Sequence, residues 1–156
     1  MKEIQVRPAM AADCAQLSRL RAELWPESSA AEHEKELTWI RTGQPIGTMP
    51  MAIFVAEAEA NNGKLAGFLE VSLRSHADGC DPRQPVGFVE GWFVVENHRR
   101  KGIGAQLLIT AEEWARSHGC VEMASDTWID HAISQRTHEA LGFEVVDRCV
   151  HYRKAL

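Results

Sequence analysis

Residues 93–105, Phe93-Val94-Val95-Glu96-Asn97-His98-Arg99-Arg100-Lys101-Gly102-Ile103-Gly104-Ala105, combine the residue types that hold a phosphate. An apolar run leads into a loop with the consecutive basic residues Arg99, Arg100 and Lys101. Gly102 and Gly104 follow at i and i+2, and a helical pattern opens at once. A helix N-terminus presents unpaired backbone N–H groups and a partial positive charge. Glycines let a backbone come close to an anion. The construction suits a phosphate or diphosphate. The alternative is a solvated basic loop ahead of a glycine-softened helix start, and the strand–loop–helix context favours the anion site. The spacing excludes two better-known phosphate motifs. No Gly-Lys-Ser/Thr ending is present, and Leu107 stands where a dinucleotide fingerprint needs its third glycine.

Two carboxylates are placed where chemistry can use them. Glu90 interrupts an apolar strand pattern. Strict alternation puts it on one face with Phe88, Trp92 and Val94. A charge there is costly unless it lines a cleft or meets a cation, so the alternatives are a site residue and a partner for an arginine. Asp126 closes a later strand pattern, where ligand sites gather in α/β sheets. Its alternative is a helix cap.

These residues need elements to position them. Residues 4–7 read as a strand ended by Pro8, and 11–24 as an amphipathic helix with Cys14, Leu17, Leu20 and Leu24 at helical spacing. Trp25-Pro26 breaks it. A polar helix over 30–42 ends at Gly43. Strands at 51–57 and 66–74, around the turn signal Asn61-Asn62-Gly63, form a hairpin. A loop over 75–85 precedes the strongest strand, 86–95, and the strongest helix, 102–117. A strand at 120–126, a helix at 132–141 and a final strand at 145–153 complete the pattern. The expectation is one α/β (α+β) domain over 1–156, with a mixed sheet flanked by helices.

Composition bounds the partners. Seventeen Lys and Arg against 22 Asp and Glu give a net charge of −5. That disfavours sequence-independent nucleic-acid binding and suits a cationic small molecule. No apolar stretch is long enough to span a membrane, and residues 1–5 lack the apolar core of an export signal. Cys14, Cys80, Cys120 and Cys149 are far apart, so reduced thiols in a cytoplasm are expected. The histidines show no metal-ligand spacing, and no metal is expected.

The turn Arg99-Arg100-Lys101-Gly102-Ile103-Gly104 matches the Arg/Gln-x-x-Gly-x-Gly/Ala signature of the GNAT acetyltransferases. The N-terminal Ile4-Gln5-Val6-Arg7-Pro8-Ala9 with Asp13, and Leu141-Gly142-Phe143, also resemble that superfamily. Several further blocks resemble the class I aminoglycoside 6'-N-acetyltransferases. They are Glu23-Leu24-Trp25-Pro26, Asp78-Gly79-Cys80-Asp81, Val89-Glu90-Gly91-Trp92-Phe93-Val94 and the run 119–127 around Met123-Ala124-Ser125-Asp126-Thr127. Ile133-Ser134-Gln135 and Tyr152-Arg153-Lys154 extend the likeness over nearly the whole chain.

The resemblance implies the GNAT fold, with acetyl-CoA as acetyl donor. Its pantetheine would pair with the backbone of Trp92, Phe93 and Val94, and its pyrophosphate would sit on the amides of Arg100, Lys101, Gly102, Ile103, Gly104 and Ala105. The family's cofactor-contacting Asn is replaced by His131. Glu90 and Asp126 correspond to acids that hold the polyamine, with Asp126 the better base candidate. Asp147 matches an acidic substrate contact, shortened from Glu. Trp25 corresponds to a residue that packs the aminoglycoside, and His76 stands where relatives carry an aromatic. His138 occupies the place of a Tyr general acid.

The implied activity is transfer of acetyl to the 6'-amino group of kanamycin- or tobramycin-type aminoglycosides in a ternary complex, by a cytoplasmic homodimer that confers resistance. Asp78, Asp81, Glu90, Asp126 and Asp147 would complement the ammonium groups. Two rivals remain: a GNAT enzyme for another amine, and a non-catalytic acetyl-CoA sensor.

Overall fold

The computed structural model describes residues 3–57, 59 and 62–156. Five strands form one sheet in the order β1-β2-β3-β4-β5. They are β1 (Gln5–Pro8), β2 (Met51–Glu57), β3 (Leu65–Arg74), β4 (Val86–Val94) and β5 (Met123–Ser125). The first four run antiparallel to their neighbours, and β5 pairs parallel with β4. A parallel pair needs a crossover, and α4 (Ile103–Ser117) supplies it. The other helices are α1 (Cys14–Leu24), α2 (Ala30–Glu36), α3 (Trp39–Thr42) and α5 (Ala132–Ala140). Of the expected hairpin turn, Asn61 lies outside the described residues.

Each face of the sheet carries a core. On one, Ile103, Leu107, Leu108 and Ala111 of α4 pack on Phe54, Leu69, Val71 and Val89. On the other, Leu17 and Leu20 of α1 and Leu37 pack on Ile53, Val55 and Phe68. The expected apolar stripe of α4 is the buried one.

Three expectations change. The polar helix expected over 30–42 is two pieces, α2 and α3, parted at Leu37-Thr38. Ser29 caps α2 through a reciprocal pair with Glu32, and Leu37 leaves the helix to fill the core. The strand expected at 120–126 pairs only over Met123–Ser125. The final strand expected at 145–153 is absent: the chain there is exposed and without regular structure. A strand exists only with a ladder partner, and among the described residues none is offered to it. Val146 nonetheless lies against Gly79, where a Cβ would meet it at 2.5 Å.

A buried charge cluster ties the N-terminus to the sheet. The Arg7 guanidinium donates to Asp13 at 2.7 and 2.9 Å and to Glu57 at 2.8 and 3.1 Å. Hydrogen bonds from Arg7 hold the Asp13 carboxyl below its usual range, aided by the Met10 amide. Removing one member leaves buried charge unpaired, so Asp13→Asn should lower stability by about 3 kcal/mol in denaturant titrations. Because the folded value of Asp13 is depressed, its contribution is complete above the ordinary value of 3.8 and is lost as pH falls through the folded value. Acid titration of wild type and variant should show that the stability difference shrinks as pH falls through this window.

Candidate functional site

The phosphate-cradle turn has the expected backbone. Gly102 caps α4 at φ +83°, a left-handed conformation that strains any side chain, and nothing lies within 4 Å of the position its Cβ would take. Arg100 also takes positive φ, 58°. Arg99 donates to the Val94 carbonyl at 2.8 Å, and Lys101 to the Asn97 carbonyl at 2.8 Å, so the loop is pinned by its own cations. After Arg99, whose amide bonds back to Glu96, the next amide to bond back is that of Gln106, to Gly102. The amides of residues 103–105 therefore point out of the helix end. Ile103 is buried, so its side chain serves the core and only its backbone faces the turn.

Beside this turn the sheet parts. The β4–β5 pairing covers Gly87↔Met123, Phe88↔Ala124 and Val89↔Ser125, and β4 then runs on to Val94. The β4 edge over 90–94 faces a gap rather than a ladder partner among the described residues. An extended amide chain fits such an edge. These features, an open helix end and an open strand edge side by side, suit the diphosphate and pantetheine of CoA.

A bulge governs which way β4 presents its side chains. Glu70 pairs with Gly91 but Val71 pairs with Val89, so Glu90 is the extra residue. The alternation expected from sequence therefore breaks. Val89, Trp92 and Val94 face α4, whereas Gly91 faces α1 and Phe93 joins the α1-side core. Glu90 keeps the face of Phe88 but is turned away from Trp92 and Val94. Trp92 instead packs near Gly104 and, edge-on at 5.4 Å, against His138.

On the α1 side lies a cleft of about 530 Å³. Trp25 and Glu90 both line it, as do Arg21, His33, Glu36, Glu70 and Ser72. Trp25 covers Gly91 so closely that a Cβ there would lie 2.4 Å from its ring. Glu90 is half-buried and engaged: Ser72 donates to it, and Arg74 donates through two nitrogens at 3.0 and 2.8 Å. Arg74 in turn lies 3.5 Å over the Phe88 ring. Glu90 thus both lines a cleft and pairs with an arginine, the two alternatives its sequence position posed.

The remaining candidates are dispersed. Asp126 is exposed just beyond β5, and its side chain makes no hydrogen bond or ion pair among the described residues. It caps nothing, since α5 begins after His131. His131 is exposed and makes no side-chain cap bond. His76 is exposed in the 75–85 loop. Asp81 pairs with Arg83 at 2.9 Å, which holds its carboxyl below the usual range. Asp147 is exposed in the unpaired C-terminal segment. His138 is half-buried, with Nδ1 2.7 Å from the Ser134 carbonyl and Nε2 2.8 Å from the Ser125 hydroxyl. A carbonyl only accepts, so Nδ1 carries the proton and neutral Nε2 accepts from Ser125.

Sequence reasoning missed Arg21, His33, Glu36, Glu70, Ser72, Arg74 and Ser125. The strongest signal was Glu70, a carboxylate inside an apolar strand followed by polar residues at 72 and 74. The argument that singled out Glu90 applies to it equally. Glu70 is 3% exposed, and burial pushes its carboxyl up to about 7 despite the nearby Arg21.

The chain matches the acetyltransferase (GNAT) family over residues 14–143. It is 39% identical over 151 residues to an aminoglycoside N(6')-acetyltransferase type 1 from Klebsiella aerogenes, covering 97% of this chain and 96% of that one. A protein of the same name from Serratia marcescens is 41% identical over 138 residues, covering 88% and 89%. Among solved structures, AAC(6')-Iy in complex with CoA aligns at a TM-score of 0.86 and 34% identity, covering 100% of this chain and 97% of that one. AAC(6')-Iy with the bisubstrate analogue CoA-S-monomethyl-acetylneamine aligns at 0.82 and 33% identity, covering 99% and 100%. Fold, cradle and likeness over nearly the full length agree: the chain belongs to the GNAT family of acetyltransferases.

Proposed function

We propose that this chain transfers acetyl from acetyl-CoA to the 6'-amino group of kanamycin- or tobramycin-type aminoglycosides and so confers resistance to them. The observation that carries the reading is the parting of β4 from β5. It leaves an open strand edge beside an anion-binding helix end, while an acidic, aromatic-lined cleft opens along the same strand's other side. CoA supplies the acetyl group as a thioester, a carbonyl open to attack with a thiolate as leaving group. Near-full-length likeness to aminoglycoside 6'-acetyltransferases supports the acceptor class.

The residues then take these roles. The outward amides at 103–105 and the exposed Arg100 bind the diphosphate. Trp25 packs the acceptor's ring, and Glu90 with the exposed Asp126 draws in its ammonium groups. The attacking amine must be neutral, so one proton leaves the acceptor first, to Asp126 directly or through water. The nitrogen lone pair then forms the C–N bond and backbone N–H groups near Val94 steady the oxyanion; as the oxyanion collapses, the C–S bond breaks with its electron pair going to the CoA thiolate, and the second nitrogen proton passes through water to that sulfur. Asp147 adds a further charge contact from the C-terminal segment.

That segment also supports a homodimer. Val145, Val146, Val150 and Tyr152 are exposed along residues without a ladder partner. A second copy would supply one. Sedimentation should give about twice the 17.4 kDa chain mass, and deletion of residues 145–156 should give a monomer.

Three results test the reading. Thiol-reagent detection of CoA should report release with kanamycin and none with an acceptor lacking the 6'-amino group; tight acetyl-CoA binding without release would leave the sensor reading standing. Asp126→Asn should cut turnover about tenfold or more while acetyl-CoA binding holds. Gly102→Val should weaken acetyl-CoA in a folded protein, by straining the turn and by covering the helix end.

A further inference from the structure

We propose that Arg21, clamped between Glu70 and Glu36, is a positioning device for Trp25 and so sets the affinity for the acceptor. The Arg21 guanidinium bridges three elements. Its Nε lies 2.9 Å from Glu70 Oε1 on β3, and its Nη2 lies 3.1 Å from Glu36 Oε2 on α2, while Arg21 itself belongs to α1. Its central carbon lies 5.2 Å from the centre of the Trp25 ring. Trp25 is the residue at which α1 ends, and its own amide bonds back to Arg21. His33 Nε2 donates to the Trp25 carbonyl at 3.1 Å, and the His33 ring centre stands 6.1 Å from that of the indole. The indole is therefore held against Gly91 by a cation, a histidine and the Phe68 ring.

The clamp is not optimised for stability. Arg21 Nε and Glu70 Oε1 are in contact as charges, yet neither atom makes a well-directed hydrogen bond, and His33 Nδ1 also lacks one. These three unsatisfied buried atoms all belong to residues lining the one cleft. A buried polar set with unmet bonds costs free energy, and such a cost is tolerated where placement serves function. Glu70 is too deeply buried to meet a substrate ammonium, so its effect on the acceptor runs through Arg21.

The titratable and charged groups sharing the cavity with Glu70 are Arg21 from α1, Glu27 from the loop after it, His33 and Glu36 from α2 and Glu90 from β4, with Ser72 on its own strand. Arg74, also on its strand, is paired with Glu90. With its carboxyl pushed up to about 7 by burial, Glu70 loses its charge as pH falls through neutrality and Arg21 loses its inner partner.

This inference rests on the acceptor reading above, and steady-state kinetics with kanamycin separates the two. Glu70→Gln should raise the acceptor KM about tenfold, leave kcat within about threefold and leave the acetyl-CoA KM unchanged. Glu70→Asp should recover part of the loss. In a Trp25→Ala background the same Glu70→Gln change should add less than about twofold, because its effect runs through the indole. The wild-type acceptor KM should rise from pH 8 to pH 6 more steeply than that of Glu70→Gln. Should Glu70→Gln not fold, Glu36→Gln at the exposed end of the clamp should raise the acceptor KM, and this effect too should vanish without Trp25. An unchanged KM in either folded variant, or full additivity with Trp25→Ala, overturns the inference alone. A wild-type chain that releases no CoA with any aminoglycoside overturns the acceptor reading and this inference with it.

Discussion

Everything that makes this fold a catalyst follows from a short parallel pairing. β4 and β5 share only three residue pairs before they diverge. Had the ladder continued, the backbone over 90–94 would be consumed by neighbouring strands, and no extended chain could lie along it. Divergence is enforced from both sides. β5 is only three residues long and gives way to the loop leading to α5, while the extra residue at Glu90 sharpens the local twist of β4. The Trp92 ring and His138 of α5 meet edge-on at 5.4 Å on the α4 face. The left-handed Gly102 places the start of α4 beside the same opening.

The bulge also divides labour between the two faces of one strand. Without it, Glu90 would share a face with Trp92 and Val94 and point into the α4-side core, where an ionised carboxylate is costly. With it, Glu90 meets Ser72 and Arg74 in the cleft, and the apolar residues return to α4. Acids on this side meet resident guanidinium groups: Glu90 pairs with Arg74, and Glu70 and Glu36 share Arg21. The net charge of −5 is thus not a free acidic pool. Charge in this cleft is organised as resident pairs rather than as an open acidic field.

The sequence made the alternation of strands and helices legible because each element carries a strong period: the apolar stripe of α4, the hairpin of β2 and β3, the glycine at the start of α4. The strand–loop–glycine–helix turn at 94–105 was legible because its signal is local. What stayed hidden depends on non-local facts. The bulge at Glu90 is a register relation between two strands, and no period within β4 announces it. The break between α2 and α3 reflects the demand of the core for Leu37, which outweighs the helical pattern on either side. The 145–153 pattern carries a strand signal, but a strand needs a ladder partner, and none is offered among the described residues. Arg21 reads as an ordinary helix residue until Glu70 and Glu36, distant in sequence, are brought beside it.

The side chains beside the strand gap are constrained by the same kind of placement. Tyr152, the only tyrosine, is exposed in the C-terminal segment, so within one chain the position beside the strand gap falls to His138. Its Nδ1–H is committed to the Ser134 carbonyl, and its Nε2 accepts from Ser125, the last residue of β5. In that state the Ser125 hydroxyl points its proton at the ring and offers only lone pairs elsewhere. A tyrosine in this place would present its own O–H, whereas the Ser125–His138 pair presents oxygen lone pairs to the gap.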